Sequence, residues 1–337
     1  MSQSLAKDFN FHSLLKFAFP SIIMMIFMSL YSIVDGFFIA QYVDSMALSA
    51  ANIVYPAVSI LLAVGIMFGT GGSALVAAKI GQEKQEEANR NFSALTLTTL
   101  IIGILGAVLG NLFCRQICSL LGATPGLDYG TAYLRTILSF APVCLLQALF
   151  QSFFVTAGRP GLGLSLTVSA GITNMLLDYL FVVPLHLGVA GAALATGLGQ
   201  CIPAVAGILY FTFARKGLRF TRPEFSKGLL STSCFNGSSE MVSNLSPAVV
   251  TYLFNMLMLK FEGEIGVAAI TAILYGQFLF VALYLGYSIG VAPVFSFNYG
   301  SRNKQRLIRL YRISIRFVVV SSVIIALVAA FGSPVIS

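Results

Sequence analysis

The sequence predicts an all-α polytopic membrane protein with about nine transmembrane helices. Three observations carry this. Of the 337 residues, 57% are hydrophobic and 9% charged, with a mean hydropathy of +0.88. An ordinary soluble domain has roughly 25% charged residues, so this composition cannot supply a polar skin. The apolar residues gather in runs that reach or exceed the roughly 20 needed to cross a bilayer. Lys and Arg fall between the runs, in alternate connections. Together these exclude a soluble enzyme, a disordered tail and a nucleic-acid-binding domain. The net charge of +8 therefore points to a membrane surface. The five Cys make no disulfide or zinc pattern, and Cys114 and Cys118 read as two small residues on one helix face. Trp is absent, so Tyr and Phe serve as interfacial anchors.

The spans follow in order. The first (14–42) is too long for a signal peptide and carries Pro20 and Asp35 inside its apolar run. Ser29, Ser32 and Asp35 step by three along one of its faces. The second (46–79) closes on a Gly-rich segment ending at Gly81. The third (93–113) is plain. The fourth (129–156) bears Gln147 and Gln151 one turn apart, facing a cavity. The fifth (161–184) has a polar stripe of Thr167, Gly171, Asn174 and Asp178 at helical spacing. The sixth (188–214) opens with Gly188-Val-Ala-Gly191, small residues that permit close packing, and adds the one-turn pair Thr196 and Gln200. The seventh (235–259) shows a second stripe: Glu240, Asn244, Pro247, Thr251 and Asn255. The eighth and ninth run over 265–296 and 307–332. The arginines from Arg302 to Arg316 anchor to anionic headgroups. With the N-terminus in the cytoplasm, seventeen of the twenty basic residues lie inside; only Arg115, Arg135 and Lys260 lie outside.

Asp35, Asp178 and Glu240 are the three acids deep in apolar runs, and each is costly to keep ionised in lipid. Asn174 and Asp178 present a carbonyl oxygen and a carboxylate to the same point. Carboxylates, an amide and a hydroxyl are hard oxygen ligands that suit Na⁺ or a shared proton. Two nearby carboxyls also raise one pKa, so that a proton exchanges near neutrality. The same groups would also serve as an interhelical hydrogen-bond cluster that holds helices together.

The chain repeats at a spacing near 219 residues. Gly71-Gly72-Ser-Ala-Leu-Val-Ala-Ala-Lys-Ile-Gly81 matches Gly290-Val-Ala-Pro-Val-Phe-Ser-Phe-Asn-Tyr-Gly300, and Ala47-Leu-Ser-Ala-Ala51 matches Gly266-Val-Ala-Ala-Ile270. Parallel repeats about the membrane normal are a transporter architecture. Residues 1–228 hold six spans and 229–337 only three. Three further spans, roughly 110 residues, are expected to complete the second copy; a genuine nine-span protein is the alternative.

Several motifs resemble the MATE (multidrug and toxic compound extrusion) transporters, and their MepA/DinF-like bacterial subgroup in particular. They are Leu187-Gly-Val-Ala-Gly-Ala-Ala-Leu-Ala-Thr196, Gly158-Arg159-Pro160, Gly72-Ser-Ala…Gly81, Val291-Ala-Pro…Asn298-Tyr-Gly300 and Asn236-Gly-Ser-Ser-Glu240. The resemblance implies a two-lobed helix bundle, here a six-helix N-lobe with an incomplete three-helix C-lobe. It implies export of cationic, amphipathic organic compounds by alternating access, in antiport with H⁺ or Na⁺. It assigns cation binding to Asp35, Asn174, Asp178 and Thr196, and a helix bend to Pro20. Glu240, Asn244, Asn255, Gln147 and Gln151 are secondary cavity candidates. It implies no enzymatic step, no cofactor beyond the coupling ion, no nucleic-acid partner, and a monomer among the lipids of a bacterial cytoplasmic membrane. Competing expectations are a lipid-linked oligosaccharide flippase and an inactive, shortened membrane protein. An intramembrane aspartyl protease would need a Gly-x-Gly-Asp pattern around Asp35 or Asp178, and the sequence has none.

Overall fold

The computed structural model describes residues 5–43, 45–122, 127–261 and 263–336. Without water to bond to, backbone groups in lipid must pair inside a helix. The described residues accordingly form eleven α-helices and no strand. These are α1 (Phe11–Tyr42), α2 (Ser45–Gly81), α3 (Gln85–Leu112), α4 (Cys114–Leu120), α5 (Leu127–Ser139), α6 (Ala141–Thr156), α7 (Pro160–Val182), α8 (Gly188–Phe213), α9 (Leu229–Phe261), α10 (Gly263–Gly300) and α11 (Lys304–Ile336). Among the described residues, seven helices hold stretches long and apolar enough to cross a membrane, and α5 with α6 supplies an eighth span.

The fourth span, expected as one run over 129–156, is broken. α5 and α6 meet at 56°. Pro142, in the first turn of α6, has no N–H to offer the carbonyl of Leu138. Pro20, Pro56, Pro203, Pro247 and Pro293 lie inside continuous helices instead.

Phe92 on α3 is fully buried and organises the main core. Its ring stands 4.6 Å from Phe153, 4.7 Å from Phe211 in an edge contact, and 5.0 Å from Phe220, on which it stacks. These pairs join α3, α6, α8 and the 214–228 connection. A second core, including Ile39, Cys114, Cys118, Leu134 and Val182, fills the far end.

The sequence repeat reappears as a pair of related contacts. A Cβ on Gly81 would fall 2.0 Å from the Phe297 carbonyl, and one on Gly300 would fall 2.0 Å from that of Ala78. Residues 81 and 300, like 78 and 297, stand one repeat apart. Gly71 likewise meets Ser233 and Gly237 of α9, while its repeat mate Gly290 meets Ala18 and Ser21 of α1. The first helix of each copy thus packs on the second helix of the other. These contacts sit at the end of the bundle that carries the basic connections. α11 is joined to α10 by the stacked pair Tyr287 and Phe317, 4.2 Å apart, and by Tyr287 Oη donating to Ser314 Oγ at 2.9 Å. Val318 to Leu327 are largely exposed, as apolar side chains are when lipid is the solvent.

Candidate functional site

α7 is amphipathic in the inverse sense of a soluble helix. Its buried face carries Gly163, Thr167, Ala170, Gly171, Asn174, Asp178 and Val182. Ile172, Leu176, Tyr179 and Leu180 point outward. Asp178 is wholly buried, and Asn174 and Thr167 nearly so. An apolar solvent selects this sidedness, since polar groups are stabilised only among other polar groups.

α8 supplies the adjoining wall. Asn174 Nδ2 donates to Thr196 Oγ1 at 3.3 Å. This turns Asn174 Oδ1 away from Thr196, and that oxygen is buried without a partner among the described residues. Gln200 Oε1, one turn beyond Thr196, is in the same condition. The close approach needs Gly199, where a Cβ would lie 2.9 Å from the Ala170 carbonyl and 3.1 Å from Asn174 Cβ.

α1 closes the other side. A Cβ on Gly171 would lie 2.4 Å from Phe27 and 3.2 Å from Tyr31. α1 and α7 run in the same direction as odd-numbered spans. Asp35 follows Phe27 by two turns, and Asp178 follows Gly171 by two, so the backbone sets both at one height, about 10 Å beyond the contact. The Asp35 side chain lies outside the described residues. Pro20 leaves the Lys16 carbonyl without its helical donor. Gln151 Nε2 on α6 donates to Met28 Sδ at 3.0 Å, and Gln147 is buried one turn before it.

The second stripe forms a separate group. Glu240 is half-buried and accepts from Ser288 Oγ of α10 at 3.1 Å. Asn244 donates its amide to the Glu240 backbone carbonyl at 2.8 Å, within its own helix. The Asn255 side chain lies outside the described residues. Among the described residues, the hydrogen bonds of Glu240 and Asn244 stay within α9 and α10.

The structure therefore joins Asn174 and Thr196 directly and sets Asp178 on their face. Sequence reasoning missed Gly199, Met28 and Ser288. Gly199 had a signal in the dense glycines around Thr196; Ser288 had none. Among the described residues no trio of His, Cys, Asp or Glu could hold a metal, so any ion bound at the stripe would rest on mixed amide, hydroxyl and carboxylate oxygens.

Residues 20–180 and 241–337 match the MatE family. The chain is 26% identical over 323 residues to the multidrug export protein MepA of Staphylococcus haemolyticus, covering 94% of this chain and 69% of that protein. It is 24% identical over 308 residues to MepA of Staphylococcus aureus strain MRSA252, covering 88% and 66%. Crystal structures of MATE in the straight and in the bent conformation each superpose with a TM-score of 0.90 at 22% identity, over 99% of this chain and 75% of those. An outward-facing multidrug resistance MATE family transporter of the MOP superfamily gives 0.88 at 21%, over 95% and 72%. At these identities the superpositions establish the fold.

Proposed function

The chain belongs to the MatE family, and we propose that it exports small, cationic, amphipathic organic compounds across a bacterial cytoplasmic membrane in exchange for H⁺ or Na⁺. The observation that carries this reading is the wholly buried Asp178 on the inward stripe of α7. A carboxylate there is tolerable when a cation or proton neutralises it. Asn174 Oδ1 and the Thr196 hydroxyl add neutral oxygens, and Asp35 stands at the same height on α1. Loading this site favours one access state and substrate the other, which requires unequal affinity for the two states. The relatives named as multidrug export proteins support the substrate class.

Two lobes, 1–228 and 229–337, move against each other, with the N-terminus and the basic connections in the cytoplasm. Glu240 and Ser288 serve the second lobe. The protein acts as a monomer and catalyses no covalent step.

The test is efflux of a fluorescent organic cation from proteoliposomes under an imposed H⁺ or Na⁺ gradient. Asp178→Asn is expected to abolish gradient-driven efflux while the protein still elutes as a folded monomer. Unaltered efflux with unaltered ion dependence would sink the assignment.

A further inference from the structure

Two tethers at the basic end are related by the repeat. Residues 5–10, ahead of α1, lie across the first turns of α11. Arg306 Nη1 donates to the Ala6 carbonyl at 2.8 Å, and Arg309 pairs with Asp8 at 3.2 Å. Leu5 and Phe9 bury their side chains in the main core. Residues 219–228, ahead of α9, lie across the first turns of α3. The N–H of Thr221 donates to Ser93 Oγ at 2.9 Å, and that of Arg219 to Asn89 Oδ1 at 3.3 Å. Arg90 pairs with Glu224 at 2.6 Å, and Phe220 stacks on Phe92. Arg90 and Arg309 stand one repeat apart. Glu224 lies three residues before the position that the repeat gives for Asp8.

We propose that these are two clasps that hold the basic end of the bundle closed. In each, the segment ahead of one copy's first helix is fastened to the third helix of the other copy. This rests on the two-lobed alternating-access reading above. Both ion pairs are about half exposed, so each is expected to shift the closed-to-open ratio by roughly 1.5- to 5-fold. The clasps therefore bias the balance between states without blocking it. The α3 clasp, with its two hydrogen bonds from backbone N–H groups and its ring stack, is the firmer, and the N-terminal clasp releases first.

Cys234 is the reporter. It is half-buried and follows Ser233, whose carbonyl faces Gly71 across the contact between α9 and α2. With the other four cysteines changed to Ala, the full chain in membrane vesicles is labelled with N-ethylmaleimide and the rate at Cys234 is followed. Asp8→Arg or Arg309→Asp alone should raise the rate roughly 1.5- to 5-fold, and the two together should return it toward wild type. Arg90→Glu, Glu224→Arg and their combination should behave likewise. Unchanged rates in the single reversals would overturn the proposal, as would swaps that stay folded but fail to restore the rate. If a reversal impairs folding, Arg309→Gln replaces it and should give the same rise. Adding an organic cation or an ion gradient to the unswapped chain tests alternating access separately. A chain that responds to ligand but not to the reversals keeps that reading and loses the clasps; the converse keeps the clasps and loses that reading.

Discussion

Gly237→Ala tests how the two copies are held together. A Cβ at Gly237 would lie 2.0 Å from the Met67 carbonyl oxygen and 2.9 Å from Met67 Cα. Both are backbone atoms, so no side chain can rotate aside. Packed heavy atoms need roughly 3.5 Å, so α2 and α9 must part by about 1 Å or more. Overpacking of this kind costs about 1–3 kcal/mol. The repeat offers an internal comparison. Ala18 occupies the matching place on α1 and already carries a methyl; a Cβ on Gly290, which faces it, would come no closer than 2.9 Å to α1, against 1.9 Å to α9 for one on the repeat mate Gly71. The bundle can thus form a wider version of the same crossing, and the alanine is expected to open the contact without unfolding the protein. At tenfold per 1.4 kcal/mol, the closed-to-open ratio at the basic end should fall by about 5- to 150-fold. Spin labels at Gln82 and Ser301, exposed residues just beyond the ends of α2 and α10, report this as growth of a longer distance in electron double resonance. Ser239→Ala, on an exposed face of α9, is the control. An unchanged distance distribution with an unchanged unfolding midpoint would show that α2 and α9 do not depend on this close approach.

Phe92→Ala removes the ring around which Phe153, Phe211 and Phe220 pack; a loss of about 3–5 kcal/mol should lower the thermal midpoint in detergent and speed amide exchange at 219–221. Thr196→Ala leaves the Asn174 amide without its partner at about 1 kcal/mol. It should weaken ion-driven efflux less than Asp178→Asn does, with Thr196→Ser close to wild type. Burial, with Cys118 beside it, pushes the Cys114 thiol up to about 11. At pH 8 roughly one in a thousand such thiols is ionised, so maleimide should modify Cys114 only on denaturation. Rapid labelling of the native protein would contradict its burial.

The spans were legible because lipid forces each run of chain to bond within itself, and composition alone then marks the helices. The break at Phe140 was not, since residues 129–156 stay apolar across it and Pro142 alone does not separate a kink from a helix start. The inward stripe of α7 was legible for the same reason as the spans: in an apolar solvent, polar residues at helical spacing mark the buried side. What spacing withheld was the neighbour. Asn174 and Thr196 each showed a face, but only the glycine at 199 lets those faces come within hydrogen-bonding distance. The repeat was visible in the glycines at 71, 81, 290 and 300. Its crossed packing was not, because the same glycines would equally suit contacts within one copy.

That crossing bears on how the stripe and the basic end communicate. Coupling between distant sites needs an element with distinct contacts at both. α1 has them. Phe27 and Tyr31 lean on Gly171 beside the stripe, while Ala18, Ser21 and Ile22 sit against Gly286 and Gly290 of α10, with Cβ approaches of 2.6 to 3.3 Å. The two contacts are five residues apart along one helix, about 7–8 Å. Pro20 lies within the α10 contact, where the Lys16 carbonyl has no helical donor. A shift at the stripe therefore reaches α10 through a short length of helix whose weakest turn is the one held by α10's glycines. Had α1 packed on α2 of its own copy, the same displacement would have stayed within one copy of the repeat.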